Sequence, residues 1–209
     1  LGPAPYGSAF VGDVAYVAAY GSGVRTYDMS DPLHPKPLGV VEIPRSGLHY
    51  VVSDGRFAYG LGDSDVVYVA DVREPSRPVP VDVIELPGEG LYRPVLEGDR
   101  LSLGSNGAMH VLDVADPPTS TLRAAFHTVG SSEGGIVARD GRAYVGTVEG
   151  LRSIDVRDPL LPRDDGGVLE RFPPTDVQIV GSRAYVAGGY FVCCGTVSIL
   201  DLAEPAHPQ

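Results

Sequence analysis

Lysine is almost missing from this sequence. Lys36 stands alone beside fifteen arginines, and the acidic residues outnumber both to leave a net charge of −11. Such a surface repels phosphate backbones, which argues against nucleic acid as a partner. Cysteine is equally scarce: Cys193 and Cys194 are the only two and are adjacent, so no disulfide framework ties distant parts of the chain together. No run of about 18 apolar residues occurs, so no membrane-spanning helix is expected. The first residues lack a charged-then-apolar leader pattern, leaving a cytosolic chain, a processed chain or an excised domain all open. P-loop, HExxH and dinucleotide-binding fingerprints are absent, and no cofactor is expected.

What the sequence does have is glycine and proline, 27 and 19 residues, placed between short apolar runs rather than in a low-complexity tract. The 209 residues carry 43% hydrophobic residues, enough for a substantial core. One phrase returns five times: "YDMSDP", "ADVREP", "LDVADP", "IDVRDP" and "LDLAEP". Its prolines, Pro32, Pro75, Pro117, Pro159 and Pro205, are 43, 42, 42 and 46 residues apart. A fixed period of this length signals a solenoid or a propeller.

Each unit runs through the same series. A short apolar run meets a glycine turn, then "AYV" or a relative: Ala15-Tyr16-Val17, Ala58-Tyr59-Gly60, Ala143-Tyr144-Val145 and Ala184-Tyr185-Val186. The third unit has Leu101-Ser102-Leu103 there. A polar loop, a run ending in Asp and the Asp/Glu-Pro turn follow, and a last run completes the unit. The runs are short, rich in β-branched and aromatic residues, and bounded by turn residues, with no helical period between them; they read as four strands per unit.

The third strands carry apolar residues at both parities, as in Val67 and Ala70 or Leu151 and Ile154. Burial on both faces fits sheets stacked around an axis. A β-solenoid has shorter rungs, and a sandwich gives no reason for the period. The expectation is an all-β fold, a β-propeller of five four-stranded blades with the first or last blade incomplete. Residues 1–209 form one domain in this reading, with units ending near 32, 75, 117, 159 and 205. The Asp that ends each third strand is expected to accept backbone N–H bonds in an Asx turn, and the following proline to start the reversal.

The phrases "VRTYDMSDP", "MHVLDVADP" and "LRSIDVRDP", with "GSRAYVAGG" upstream, resemble the LVIVD repeat of bacterial and archaeal proteins. The resemblance covers essentially the whole chain. It implies propeller blades and an exported, periplasmic or cell-surface setting, and no shared reaction. The third unit departs from the pattern at Ser102 and lacks the second proline of the turn. The terminal segments either complete one blade together or mark a chain cut from a longer one.

Aligning the units on "AYV" puts Tyr6 and Gly7, His49 and Tyr50, Tyr92 and Arg93, Glu133 to Gly135, and Thr175 and Asp176 at the starts of the innermost strands. These positions should meet near the axis on one face. The loops between second and third strands join that face, contributing Tyr20, Asp63, Asp65, Asn106, Glu149, Tyr190 and Phe191. A ligand-binding funnel of Tyr6, His49, Tyr50, Tyr92, Arg93, Glu133 and Asp176 follows, open to a protein partner or a small ligand. The bland alternative is that these groups plug the channel by hydrogen bonding one another.

Function therefore reads first as a binding or protein-interaction module. One alternative is a hydrolase or lyase using His49, Glu133 and Arg93; another is a structural part of a larger assembly. His49, Glu133 and Asp176 have metal-ligand chemistry but come from three units without local spacing, so no metal is assigned. His34, His110 and His207 read as structural. "GSSEG" at residues 130–134 matches G-x-S-x-G, but a strand rather than a helix follows, against a nucleophile at Ser132. In "YFVCCGT" the cysteines sit where the unit lengthens, in an expected loop beside Tyr190 and Phe191. Cys193 and Cys194 could form a strained vicinal disulfide, stay as two thiols, or serve metal or redox chemistry.

Overall fold

The computed structural model describes residues 5–43, 47–62, 65–86, 92–105, 108–117, 121–127, 135–158, 160–169, 173–190, 193–205 and 208. Among them there is no helix, and the strands form five antiparallel sheets, as the period requires. Blade 1 holds β1 (Pro5–Val11), β2 (Val14–Ala19), β3 (Gly23–Asp28) and β4 (Lys36–Val41). Blade 2 holds β5 (Leu48–Ser53), β6 (Phe57–Gly62), β7 (Val66–Asp71) and β8 (Val79–Glu85). Blade 3 holds β9 (Tyr92–Glu97), β10 (Arg100–Ser105), β11 (Ala108–Asp113) and β12 (Thr121–His127). Blade 4 holds β13 (Ile136–Arg139), β14 (Arg142–Thr147), β15 (Gly150–Asp155) and β16 (Arg163–Leu169). Blade 5 has β17 (Pro174–Val180), β18 (Arg183–Tyr190) and β19 (Cys193–Asp201), three strands among the described residues. Strand order within every blade is sequential, and β1 pairs with β2, so the first described segment belongs to blade 1.

The innermost strands follow one another around the axis: β1 contacts β5, β5 contacts β9, β9 contacts β13, and β13 contacts β17. Among the described residues no packing on this scale joins blade 5 to blade 1. The core lies between blades rather than within them. Because side chains alternate along a strand, each blade has a trailing face toward the next blade and a leading face toward the previous one. Tyr16, Ala18 and Val24 of blade 1 pack on Val51, Ala58, Ala70 and Val72 of blade 2. Tyr59, Val67 and Val69 meet Leu101, Leu103, Leu112 and Val114 of blade 3. Met109 and Val111 meet Ala143, Val145, Ile154 and Val156 of blade 4. Tyr144 and Leu151 meet Val177, Ala184, Val186, Leu200 and Leu202 of blade 5. Four apolar clusters thus weld five blades, and the tyrosine of "AYV" belongs to the trailing half of three of them. In blade 3 the buried Ser102 takes its place.

The recurring phrase makes the same bonds in every blade. Each terminal aspartate accepts the N–H two residues on: Ser30 to Asp28 at 2.9 Å, Arg73 to Asp71 at 3.0 Å, Ala115 to Asp113 at 3.1 Å, Arg157 to Asp155 at 3.0 Å and Ala203 to Asp201 at 2.8 Å. The residue between them donates its N–H to the turn joining the blade's first two strands. These bonds are Met29 to Asp13, Val72 to Arg56, Val114 to Asp99, Val156 to Gly141 and Leu202 to Ser182, at 2.7 to 3.0 Å. One short phrase therefore ends the third strand, turns the chain and fastens that turn to the first hairpin.

The blades are also joined by hydrogen bonds at this end. Thr26 donates to the Pro75 carbonyl at 2.5 Å, Tyr59 to Val114 O at 3.4 Å, and both Tyr144 and Ser153 to Pro205 O at 3.3 and 2.8 Å. Asp155 is the most heavily partnered carboxylate here. The Arg157 guanidinium hydrogen-bonds it and, with the Arg157 N–H and the Arg142 charge, holds its carboxyl well below the usual aspartate range against the opposing effect of burial. A carboxyl depressed in the folded state stabilises above its unfolded value, near pH ~3.9, and that contribution is lost as pH falls through the lower native value. Asp155→Asn should therefore cost about 1–2 kcal/mol at neutral pH. In urea unfolding from pH 7 to pH 3, the gap from wild type should narrow below about pH 4; a gap constant with pH would contradict the ionic account.

Candidate functional site

The starts of the innermost strands lie at the opposite end from the Asp-Pro turns. Tyr6 and His49 hold the same repeat position in consecutive blades, and adjacent inner strands bring them together. Their rings stack with centroids 4.8 Å apart and planes at 21°. Tyr20, in the turn after β2, folds over the pair, 5.9 Å from His49 and 5.8 Å from Tyr6. Tyr50 stands edge-on to His49 at 6.4 Å. Tyr6 and Tyr20 are both exposed, so their faces are open to solvent as well as to each other.

This stack requires close backbone approach. A Cβ on Gly7 would lie 2.6 Å from the His49 carbonyl oxygen, so a side chain there would push blade 1 off blade 2. The turn presenting Tyr20 is closed by Ser22 N–H donating to Ala19 O at 2.9 Å and is flanked by Gly21 and Gly23 at φ of 72° and 94°. Residues with a Cβ rarely adopt that region.

The second part of the site is an ion pair. Arg93 of blade 3 donates from Nη1 to Asp176 Oδ1 of blade 5 at 3.2 Å, and the same oxygen accepts the Val177 N–H at 3.0 Å. The pair spans blade 4, where the equivalent residue is Gly135; a Cβ there would lie 3.1 Å from the Asp176 Cα. Arg93 itself is held at φ 43°, uncommon for a residue with a side chain. Both partners are substantially exposed, so the contact is worth about 0–1 kcal/mol and serves mainly to aim the guanidinium. Together these groups offer aromatic faces, an imidazole and a tethered guanidinium: a surface for stacking and hydrogen bonding.

The structure thus brings together Tyr6, Tyr20, His49 and Tyr50, and pairs Arg93 with Asp176. Glu133 and Phe191 lie outside the described residues, as do the side chains of Tyr92, Tyr190, Cys193 and Cys194. His49 sits among tyrosines while Asp176 pairs with Arg93, so these two do not converge as a ligand set. His110 is buried and bonded to Ser105 at 3.0 Å, and His34 pairs with Asp31 at 2.9 Å in its turn; His207 lies outside the described residues. One expectation is corrected. Cys193 and Cys194 do not sit in an inserted loop: β18 and β19 run to 8 and 9 residues, pairing continues to Tyr190 opposite Cys193, and the longer unit is a longer hairpin.

Two features escaped the sequence reading. The Arg93–Asp176 bridge joins residues 83 apart and depends on a glycine in the intervening blade, which no local pattern announces. A cleft of about 220 Å³ lies between blades 4 and 5 at the Asp-Pro end, lined by Arg139, Asp140, Arg142, Tyr144, Ser182 and Pro205. Its only sequence signal was the pair of arginines, Arg139 and Arg142, in the first hairpin of blade 4, in a region read simply as turns.

No protein-family model matches the chain. No curated protein matches it either. Solved structures do. Sqt1 of Saccharomyces cerevisiae superimposes with a TM-score of 0.77 at 6% identity, over 97% of this chain and 59% of Sqt1. U3-55K gives 0.72 at 12% identity, over 97% of this chain and 64% of its own. A nidogen–laminin complex gives 0.64 at 13% identity, over 99% of this chain and 79% of the other. The chain spans about three fifths of the length of Sqt1 and of U3-55K, and at these identities the likeness is one of fold. The five sheets are β-propeller blades.

Gly7→Ala should lower stability by about 1–3 kcal/mol in urea unfolding and alter the near-ultraviolet circular dichroism of the tyrosines by parting Tyr6 from His49. Gly195→Ala, with nothing nearer than 3.7 Å, should stay within about 0.5 kcal/mol of wild type. Equal effects at the two sites would show that close blade approach is not what Gly7 provides.

Proposed function

We propose that the chain is a binding module of the β-propeller class that holds a protein partner on the face where the innermost strands begin. The observation that carries this reading is the exposed Tyr6–Tyr20–His49 stack, with a guanidinium held by Asp176 at the same end of the blades. Exposed aromatic groups and arginine are the residues that most often dominate protein interfaces. The strongly acidic chain around an aromatic patch favours a partner segment carrying a basic or aromatic side chain, which would lie over the tyrosine faces. The similarity to U3-55K, Sqt1 and a nidogen–laminin complex supports the class of fold and leaves the partner to the chemistry of this face.

In the same proposal, residues 1–209 act as one propeller domain of the LVIVD-repeat type, working outside the cytoplasm as an exported or cell-surface component. The support is the recurring "LDVADP"-type phrase and its spacing.

Selecting displayed peptides on the purified chain tests the reading. Selected peptides should be enriched in basic and aromatic residues and should lose at least about tenfold in affinity on Tyr6→Ala or His49→Ala. Arg93→Ala should weaken them less, and melting temperatures should stay near wild type because these side chains lie outside the interblade core. Binders unaffected by all three substitutions would move the binding surface elsewhere and overturn the proposal.

A further inference from the structure

The cleft between blades 4 and 5, at the Asp-Pro end, holds a departure from the repeat. The last pair of each first hairpin sets two residues directly opposite one another, with both side chains on one face. In blade 1 the pair is Val11 and Val14, in blade 3 Glu97 and Arg100, and in blade 5 Val180 and Arg183. Blade 2 has Ser53 and Ala58. Among the described residues, blade 4 alone sets two like charges against each other, Arg139 and Arg142. Such a pair costs stability. Arg142 is two residues before Tyr144, so both arginines share the face that packs on blade 5. At the other interfaces this region is filled by apolar groups: Val11 and Val14 pack on the cluster joining blades 1 and 2, and Phe57 on that joining blades 2 and 3.

Separate anchors hold the two guanidiniums. Arg139 donates from Nη1 to the Gly181 carbonyl of blade 5 and from Nε to Asp140 Oδ2 at 3.2 Å. Arg142, whose side chain is 15% exposed, directs Nη1 to Asp165 Oδ2 at 2.8 Å and to Ser153 Oγ at 3.3 Å. Neither set of bonds uses Nη2, so each guanidinium keeps N–H donors to spare. The carboxylates offset the charge only in part. Asp140 is 86% exposed and solvated, and Asp165 is shared with Arg163 at 3.0 Å. The buried Tyr144 and Leu202, with Pro205, add apolar surface to the lining, and the exposed Ser182 completes it. A similar opening lies between blades 3 and 4, lined by Glu97, Asp99, Arg100, Asp113 and Gly141 among others. The gap therefore comes from the stacking of blades, and the paired positive charge from blade 4.

We infer that this cleft binds a small organic carboxylate, its carboxylate group held by Arg139 and Arg142 and its apolar part lying against Tyr144, Leu202 and Pro205. The planar guanidinium fork matches a carboxylate, and an anion between the two arginines relieves their repulsion. A single negative charge suits the site better than a phosphate dianion, because Asp140 stands at the same cleft and the apolar lining has nothing to offer a phosphate. The volume of about 220 Å³ limits the ligand to roughly one ring or a short branched chain, below the ~300–1,000 Å³ of sites for larger molecules. The cleft lies at the opposite end of the blades from the Tyr6–His49 stack. The two readings stand or fall separately.

The test is isothermal titration calorimetry of the purified chain with benzoate and isovalerate, at neutral pH and constant ionic strength. Benzyl alcohol serves as the neutral counterpart of benzoate, and inorganic phosphate as the competing anion. At least one of the two acids should bind with a dissociation constant on the order of 1 mM or below, and benzyl alcohol should give no measurable binding. Arg139→Gln should weaken the acid about tenfold or more. Ser182→Leu keeps both guanidiniums but narrows the cleft, and should weaken it comparably. Both side chains lie outside the interblade core, so melting temperatures should stay near wild type. Absence of binding by both acids at about 20 mM overturns the inference, as does binding that neither variant weakens. Phosphate binding as tight as that of the acids would make the cleft an unselective anion site, and also overturns it.

Discussion

Apolar packing between blades is the constraint on which the structure depends. A blade here is a thin sheet with apolar side chains on both faces, and no sheet can bury both faces by itself. Stacking solves the problem, but only by making each blade's stability conditional on its neighbours. Tyr59 is interior because Leu101 and Leu112 of the next blade cover it, and Val111 because Ile154 does. The consequence is a chain without a single centre, its core divided among the four contacts between successive blades.

Polar contacts then fix how the blades stack. Apolar faces can slide; the hydrogen bonds at the Asp-Pro end cannot, because each runs from a side chain of one blade to a carbonyl in the turn of the next. The aspartates hold those turns in shape, so the phrase that closes a strand also presents the acceptor that sets the neighbouring blade's position. Paired carboxylates such as Asp155 add an electrostatic part that operates only while they are ionised.

The opposite end is freer, because its loops are not needed for stacking. There one repeat position is filled by Tyr6, His49, Tyr92 and Thr175 in blades 1, 2, 3 and 5 and the next by Gly7, Tyr50, Arg93, Gly135 and Asp176 in blades 1 to 5, and this variety on a constant frame gives the face its chemistry. Glycine matters as much as the functional groups: Gly7 lets Tyr6 reach His49, and Gly135 leaves room for Arg93 to reach Asp176 across an intervening blade. The Asp-Pro end was shaped by geometry the fold demands, and the end where the innermost strands begin by what remained.

The sequence by itself determined the blades. The period fixed their number, the alternation along each third strand required burial on both sides, and the aspartate before each Asp/Glu-Pro announced its turn. These are local properties, set by neighbours in the chain. It also determined that Tyr6 and His49 share a repeat position, and so a level around the axis. Only the tertiary structure decided which residues at that level touch. Tyr6 meets His49 because consecutive blades abut, and Arg93 skips a blade to meet Asp176 because Gly135 has no side chain in the way. Tertiary structure also decided that Val197 and Ile199 are exposed. Their identities are those of core residues, and whether such residues are buried depends on what packs against them, which composition and spacing cannot supply.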